Sequence, residues 1–168
     1  MPRNIEIKAL IDDLFAIERL VAGLADTGPV PIAQDDTFFT CPTGRLKLRV
    51  FASGEGELIF YRRANEQGPK ESFYIRSPAP NPDSLREALG LAYGLAGRVI
   101  KRRTLYLVGR TRIHLDRVEG LGSFLELEVV LVDDEPTEAG VREAHDLLER
   151  LGIPRSSLLE TAYVDLLT

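Results

Sequence analysis

Cysteine is nearly absent from this 168-residue chain, and the one present, Cys41, excludes an internal disulfide and any zinc site built on a cysteine cluster. Long apolar runs are missing too. No stretch approaches the ~20 residues of a membrane-spanning helix, and the first residues lack the apolar core of a signal peptide. The expectation is a cytoplasmic protein with no membrane association. Positive charge is not in excess: 21 Lys and Arg against 26 Asp and Glu leave a net charge of −5, which argues against a nucleic-acid partner. There is no repeat, no low-complexity tract and no linker. Also absent are a Gly-x-x-x-x-Gly-Lys-Ser/Thr phosphate loop and a His-Glu-x-x-His zinc motif, and Gly120-Leu121-Gly122 lacks the third glycine of a dinucleotide fingerprint. We read it as a turn.

What is present is one domain, residues 1–168, with 44% hydrophobic residues and strongly patterned charge. Basic residues concentrate at Arg45, Lys47, Arg49, then Arg62 and Arg63, then Lys101, Arg102 and Arg103, then Arg110 and Arg112. A chain that is acidic overall but locally basic points to a confined anion site. Charged and apolar residues alternate in Asn4-Ile5-Glu6-Ile7-Lys8, in Arg45-Leu46-Lys47-Leu48-Arg49 and in Leu125-Glu126-Leu127-Glu128-Val129. Residues two apart on a strand share a face roughly 6.5 Å apart, a spacing that lets polar groups close around one charged ligand.

The pattern predicts strands at Glu6–Ala9, Thr37–Cys41, Arg45–Phe51, Glu57–Arg63, Glu71–Arg76, Val99–Val108, Arg112–Glu119 and Ser123–Leu131. Helices are expected after an Asp12 or Asp13 cap, with Leu14, Ile17, Leu20, Val21 and Leu24 on one side; over Pro82–Leu91; from Thr137 to a stop at Gly152; and from near Ser156 to the end. Ser77–Pro82 reads as a rigid loop. The result is an α+β architecture whose helices cover the sheet face carrying Ile5, Ile7, Leu46, Leu48, Leu58, Phe60, Ile113, Leu115, Leu125 and Leu127. Curled into an eight-stranded barrel, such a sheet has a polar lumen large enough for one small ligand. Lys8, Lys47, Arg49, Arg63, Lys101, Arg103 and Arg112 would line it, a costly interior unless a polyanion, water and metal enter.

The ordered segments Asn4–Lys8, Gln34–Phe39, Gly44–Arg49, Leu58–Arg63, Pro69–Ser72, Val99–Arg103, Arg112–Asp116, Gly120–Glu128 and Tyr163–Leu167 together resemble the CYTH superfamily, the triphosphate tunnel metalloenzymes, and within it the class IV adenylate cyclase-like branch. The resemblance implies a closed, mostly antiparallel eight-stranded barrel with helices outside. It implies Mg²⁺ or Mn²⁺ held by Glu6, Glu126 and Glu128, and a triphosphate (ATP, thiamine triphosphate or inorganic triphosphate) gripped by Lys8, Lys47, Arg49, Arg63, Lys101 and Arg103, with Lys70 and Arg112 added. Asp116 and Glu6 are its candidate catalytic residues, Asp116 as a second-ion ligand or a base orienting the nucleophile. His114 is expected to be a hydrogen-bonding lumen residue. Family members are often homodimers. One position departs from the ExExK pattern: Asn4 stands where the first Glu is expected. The rival reading is therefore a binding module for phosphorylated metabolites that performs no catalysis.

Overall fold

Alternating residues bring the chain into one sheet that closes on itself. The structure, a computed structural model, describes residues 2–63 and 68–167, with only the backbone of Arg63. Its strands are β1 (Arg3–Leu10), β2 (Thr27–Phe39), β3 (Arg45–Phe51), β4 (Gly56–Arg63), β5 (Lys70–Ala79), β6 (Leu95–Val108), β7 (Thr111–Val118), β8 (Gly122–Leu131) and the short β9 (Leu158–Leu159). Its helices are α1 (Leu14–Leu24), α2 (Pro82–Tyr93), α3 (Thr137–Arg150) and α4 (Tyr163–Leu166). The strand order β5-β4-β3-β2-β6-β7-β8-β1 closes through a β1–β5 pairing, making an eight-stranded antiparallel barrel with β9 added. β5 pairs with β1 over Arg3–Glu6, and β9 takes over the same edge at Lys8 and Ala9.

The outward faces are apolar and covered. Ile7, Ile113, Leu115, Leu125 and Leu127 pack with Leu14 and Val21 of α1 and with Leu147 and Leu148 of α3. Ile5, Val129 and Leu131 receive Ala144 of α3, and α2 places Leu85 and Leu89 on Phe39, Leu48 and Ala79. Full burial of a side chain as large as Ile7, Ile113, Leu125 or Leu127 stabilises the fold by roughly 1.5–3 kcal/mol. Local chemistry sets the helix ends. Asp13 caps α1 by accepting from the Ala16 N–H at 3.1 Å, Pro82 opens α2, and Gly152 in the left-handed region ends the turn after α3.

Three expectations are corrected. β2 begins at Thr27, ten residues earlier than its pattern indicated, despite Pro29 and Pro31. Over Thr27–Ala33 it pairs only with β6, so those prolines leave no rung of a second ladder unmade. Ser77, Pro78 and Ala79 continue β5 where it pairs with β4 alone, so they are strand and not loop. The C-terminal helix expected from Ser156 is instead a 3-10 turn at Arg155–Ser157, then β9, then the single turn of α4. The edge of β1 beyond Glu6 lacks a partner until Leu158 and Leu159 supply one.

One end of the barrel carries the final residues of β1, β2, β4 and β7 and the first residues of β3, β5, β6 and β8. The C-terminal segment crosses this floor. Lys8 donates to the Thr161 carbonyl at 3.3 Å, Lys70 to the Glu160 carbonyl at 3.0 Å, and Tyr163 to Asp116 at 2.9 Å. Arg45 pairs with Asp165, and Val164 fills the space beside Gly97. These contacts reach β1, β5, β7, β3 and β6, all around the ring.

Candidate functional site

Strand alternation aims polar residues into the lumen around the ring, with Ile59 and Tyr61 contributed by β4 among the described residues. They surround a cavity of about 520 Å³ lined by Glu6, Lys8, Lys47, Arg49, Lys101, Arg103, Arg112, Glu126 and Glu128, with Asn4, Gln34, Asp36, His114, Tyr61, Tyr74 and Tyr163 among them. Lys101 and Arg103 face in while Arg102 and Ile100 face out. The side chain of Arg63 lies outside the described residues.

Two buried forks organise the cations. Asp36 on β2 faces Arg49 on β3, and the guanidinium donates to both carboxylate oxygens at 2.8 Å, with Lys47 at 3.3 Å. Arg103 on β6 faces Asp116 on β7 in the same way, at 2.8 Å twice. Such bidentate pairs fix the guanidinium plane as well as its position. Burial opposes ionisation of both aspartates, but Lys47 and Arg49 hold Asp36 far below the carboxylate range, and Arg103 and Lys101 do the same for Asp116. Asp116 is therefore differently placed from a free base. Both its oxygens are engaged by Arg103, Tyr163 adds a third hydrogen bond, and it is fully buried.

The lysines are electrostatically strained. Burial, followed by the Arg103 charge, pulls the Lys101 amine well below its ordinary value; burial and Arg49 do the same to Lys47 in lesser degree. Lys8 and Lys101 both lie over the Tyr163 ring, at 3.9 and 4.9 Å from its centroid. Lys70 is placed beneath the cavity by its bond to the C-terminal segment.

Opposite charge gathers on the β7–β8–β1 wall. His114, Glu126 and Glu128 bring ligand atoms within 4.8 Å of one another, and Glu6 is the cross-strand neighbour of Glu128. The Nδ1 of His114 stands 3.4 Å from Glu128 and 3.6 Å from Glu126, and has no hydrogen-bond partner although it is buried. Burial, ahead of the Arg103 charge, pushes this imidazole down to about 4. Burial and the charges of Glu126 and Glu6 push Glu128 up to about 8. Glu126 is held well below the usual range: burial raises it, but His114, Arg103, Lys8 and Lys101 outweigh that. Asn4 donates its amide to Glu128 at 3.3 Å, leaving its own buried carbonyl oxygen without a partner.

The CYTH domain family matches residues 2–163. The chain belongs to the CYTH domain family. An adenylate cyclase CyaB from Aeromonas hydrophila is 26% identical over 177 residues, covering 95% of this chain and 86% of that protein. Among solved structures, the PH1012 protein of Pyrococcus horikoshii superposes with a TM-score of 0.86 at 25% identity, over 97% of this chain and 98% of its own. The Hippeastrum protein HpAC1, described as having a dominant triphosphatase activity, superposes with a TM-score of 0.65 at 16% identity, over 99% and 94%. In this CYTH domain, Asp36, Gln34, Tyr163 and the place of His114 among the carboxylates were not assigned from sequence. The signal available for Asp36 was its strand phase, which puts it on one face with Gln34 and Phe38.

Proposed function

We propose that the barrel binds a triphosphate and processes it with a divalent metal ion, in the manner of a class IV adenylate cyclase or a triphosphatase. The observation that carries this is a single buried cavity holding a cationic belt on one side and a crowded acidic cluster on the other. The residues fit a metal: an unpartnered imidazole nitrogen and two carboxylates converge, and the raised Glu128 carboxyl marks a place short of positive charge. Glu126, Glu128 and Glu6 would hold Mg²⁺ or Mn²⁺, which accept oxygen ligands. When bound, the ion supplies charge neutralisation at phosphate oxygens.

The chain's own residues do the rest. Arg49 and Arg103, locked by Asp36 and Asp116, present fixed N–H donors, while Lys8, Lys47, Lys101 and Arg112 neutralise charge along the phosphates. Phosphoryl transfer rests on such alignment and electrostatic stabilisation, with little covalent work for the protein. Asp116 acts here by positioning Arg103. Similarity to CyaB makes ATP the first substrate to try, with cyclic AMP and pyrophosphate as products; attack by water would give phosphate instead. The test is incubation with ATP, inorganic triphosphate and thiamine triphosphate, with Mg²⁺, Mn²⁺ or chelator, resolving the products. Metal-dependent turnover abolished in Glu126→Gln is the expected result. Tight binding that survives chelation, with no turnover of any of the three, would overturn catalysis and leave a binding module.

A further inference from the structure

The outer wall of the barrel carries a groove of its own. It has a volume of about 710 Å³, crosses β3, β2, β6, β7 and β8, and no helix residue lines it. Register sets its chemistry. Ala33, Arg102, Arg117 and Ser123 stand in one row on β2, β6, β7 and β8, each the cross-strand partner of the next. Lys101, Arg103, Asp116 and Val118, the sequence neighbours of the two arginines, are all buried. Arg102 and Arg117 therefore point outward, and both are exposed.

Like charges directly opposite on neighbouring strands destabilise the pair. Among the described residues, neither Arg102 nor Arg117 has a hydrogen bond or ion pair that would relieve it. Asp35, the nearest carboxylate on β2, is already taken: Arg98 donates to both its oxygens, at 2.8 and 2.5 Å. Glu119, the other carboxylate of the groove, also acts on Arg98 through its charge. Small Ala33 leaves the flank of Arg102 open, and half-buried Ser123 offers a hydroxyl beside Arg117. We propose that the groove binds a small multivalent oxyanion of the phosphate or pyrophosphate class between Arg102 and Arg117, with the Ser123 hydroxyl as a third donor. Guanidinium groups give such oxygens paired N–H donors, and strands ~4.8 Å apart put the three side chains within reach of one ion. The site lies outside the lumen but shares its ladder. Arg102 and Arg117 form the rung next to Arg103 and Asp116, whose fork faces inward. An anion on the outer rung clamps the two strands that carry that fork.

Arginine side-chain Nε–H resonances of the full chain, assigned through Arg102→Lys and Arg117→Lys, test the site. Phosphate and pyrophosphate are titrated separately, with sodium chloride of matched ionic strength as control. The Arg102 and Arg117 signals are expected to move together along one saturating curve, and the anion that saturates first names the ligand. Arg117→Gln should weaken the affinity read at Arg102 at least tenfold, and Ser123→Ala severalfold. Without the anion, Arg117→Gln should unfold at higher urea than wild type, because it removes the repulsion. No saturating shift with either anion, an equal shift with chloride, or an Arg102 response indifferent to Arg117→Gln would each overturn the site. The signals of Arg49 and Arg103 report the lumen separately, so failure outside is distinguishable from failure within.

Discussion

Glu128 shares its wall with Glu126 and Glu6, and its carboxyl is pushed up to about 8 by burial and by those two charges. Folded protein thus holds a proton there that unfolded protein releases near 4.5, so Glu128 removes stability as pH rises from about 4.5 to about 8. His114, pushed down to about 4, works in the other direction up to about 6.5, and the depressed amines of Lys47 and Lys101 do so at higher pH. The signature is consequently the difference between wild type and Glu128→Gln. In chelator, the variant should gain on wild type steadily from pH 5 to pH 8.5, by on the order of a few kcal/mol, read by thermal or urea unfolding. A pH-independent difference would contradict the assigned shift. Asp116→Asn separates two roles. As the bidentate partner of buried Arg103, Asp116 stabilises the fold, and its loss should cost about 3–5 kcal/mol by leaving that guanidinium with only its 3.6 Å ion pair to Glu126. A variant of full stability with no turnover would instead make Asp116 a base.

Helix α3 lies close to the barrel because Gly140 allows it. A Cβ there would meet Ile5 Cγ1 at 2.7 Å and Leu131 Cδ2 at 2.8 Å. In an exposed helix interior Gly→Ala stabilises by up to ~1 kcal/mol, but overpacking costs about 1–3 kcal/mol. Gly140→Ala should therefore lower the urea midpoint; a raised midpoint would show that α3 can slide outward at no cost. This contact was not visible in the helical stripe of Val141, Ala144, Leu147 and Leu148, which identified only the buried side. Period-two patterning did reveal which way Ile5, Ile7, Leu125 and Leu127 point, and hence that Glu6, Lys8, Glu126 and Glu128 share a lumen. It did not reveal that β2 runs back through Pro29 and Pro31, since a proline's tolerance depends on which neighbouring strand is missing. Leu158 and Leu159 look helical by composition, and only the vacant edge of β1 makes them a strand. The Arg49–Asp36 and Arg103–Asp116 forks depend on hairpin register, and His114 joins Glu126 and Glu128 only because β7 and β8 align them.

Across the whole molecule, the barrel concentrates basic groups in a lumen whose floor is held by its own C-terminal segment, although the chain carries a net charge of −5. No helix among the described residues is long and apolar enough to cross a membrane. Burial alone drives the Lys101 amine down, and Arg103 drives it further, so a polyanion entering the lumen relieves a strain that the empty barrel carries. Binding should then raise stability. At a hundredfold excess over Kd, tripolyphosphate adds about 2.7 kcal/mol, which for a chain of this size is a Tm increase of roughly 5–10 °C. The increase should shrink with added salt, less steeply than for a surface site because the lumen is poorly screened. Lys101→Met isolates the cause. It removes the strained amine while Asp116 keeps Arg103 as partner, so the Tm of the ligand-free variant should hold or rise, and the ligand-induced increase should fall. A variant that keeps the full increase would place the anion away from Lys101, and an unchanged wild-type Tm would remove the lumen as an anion site altogether.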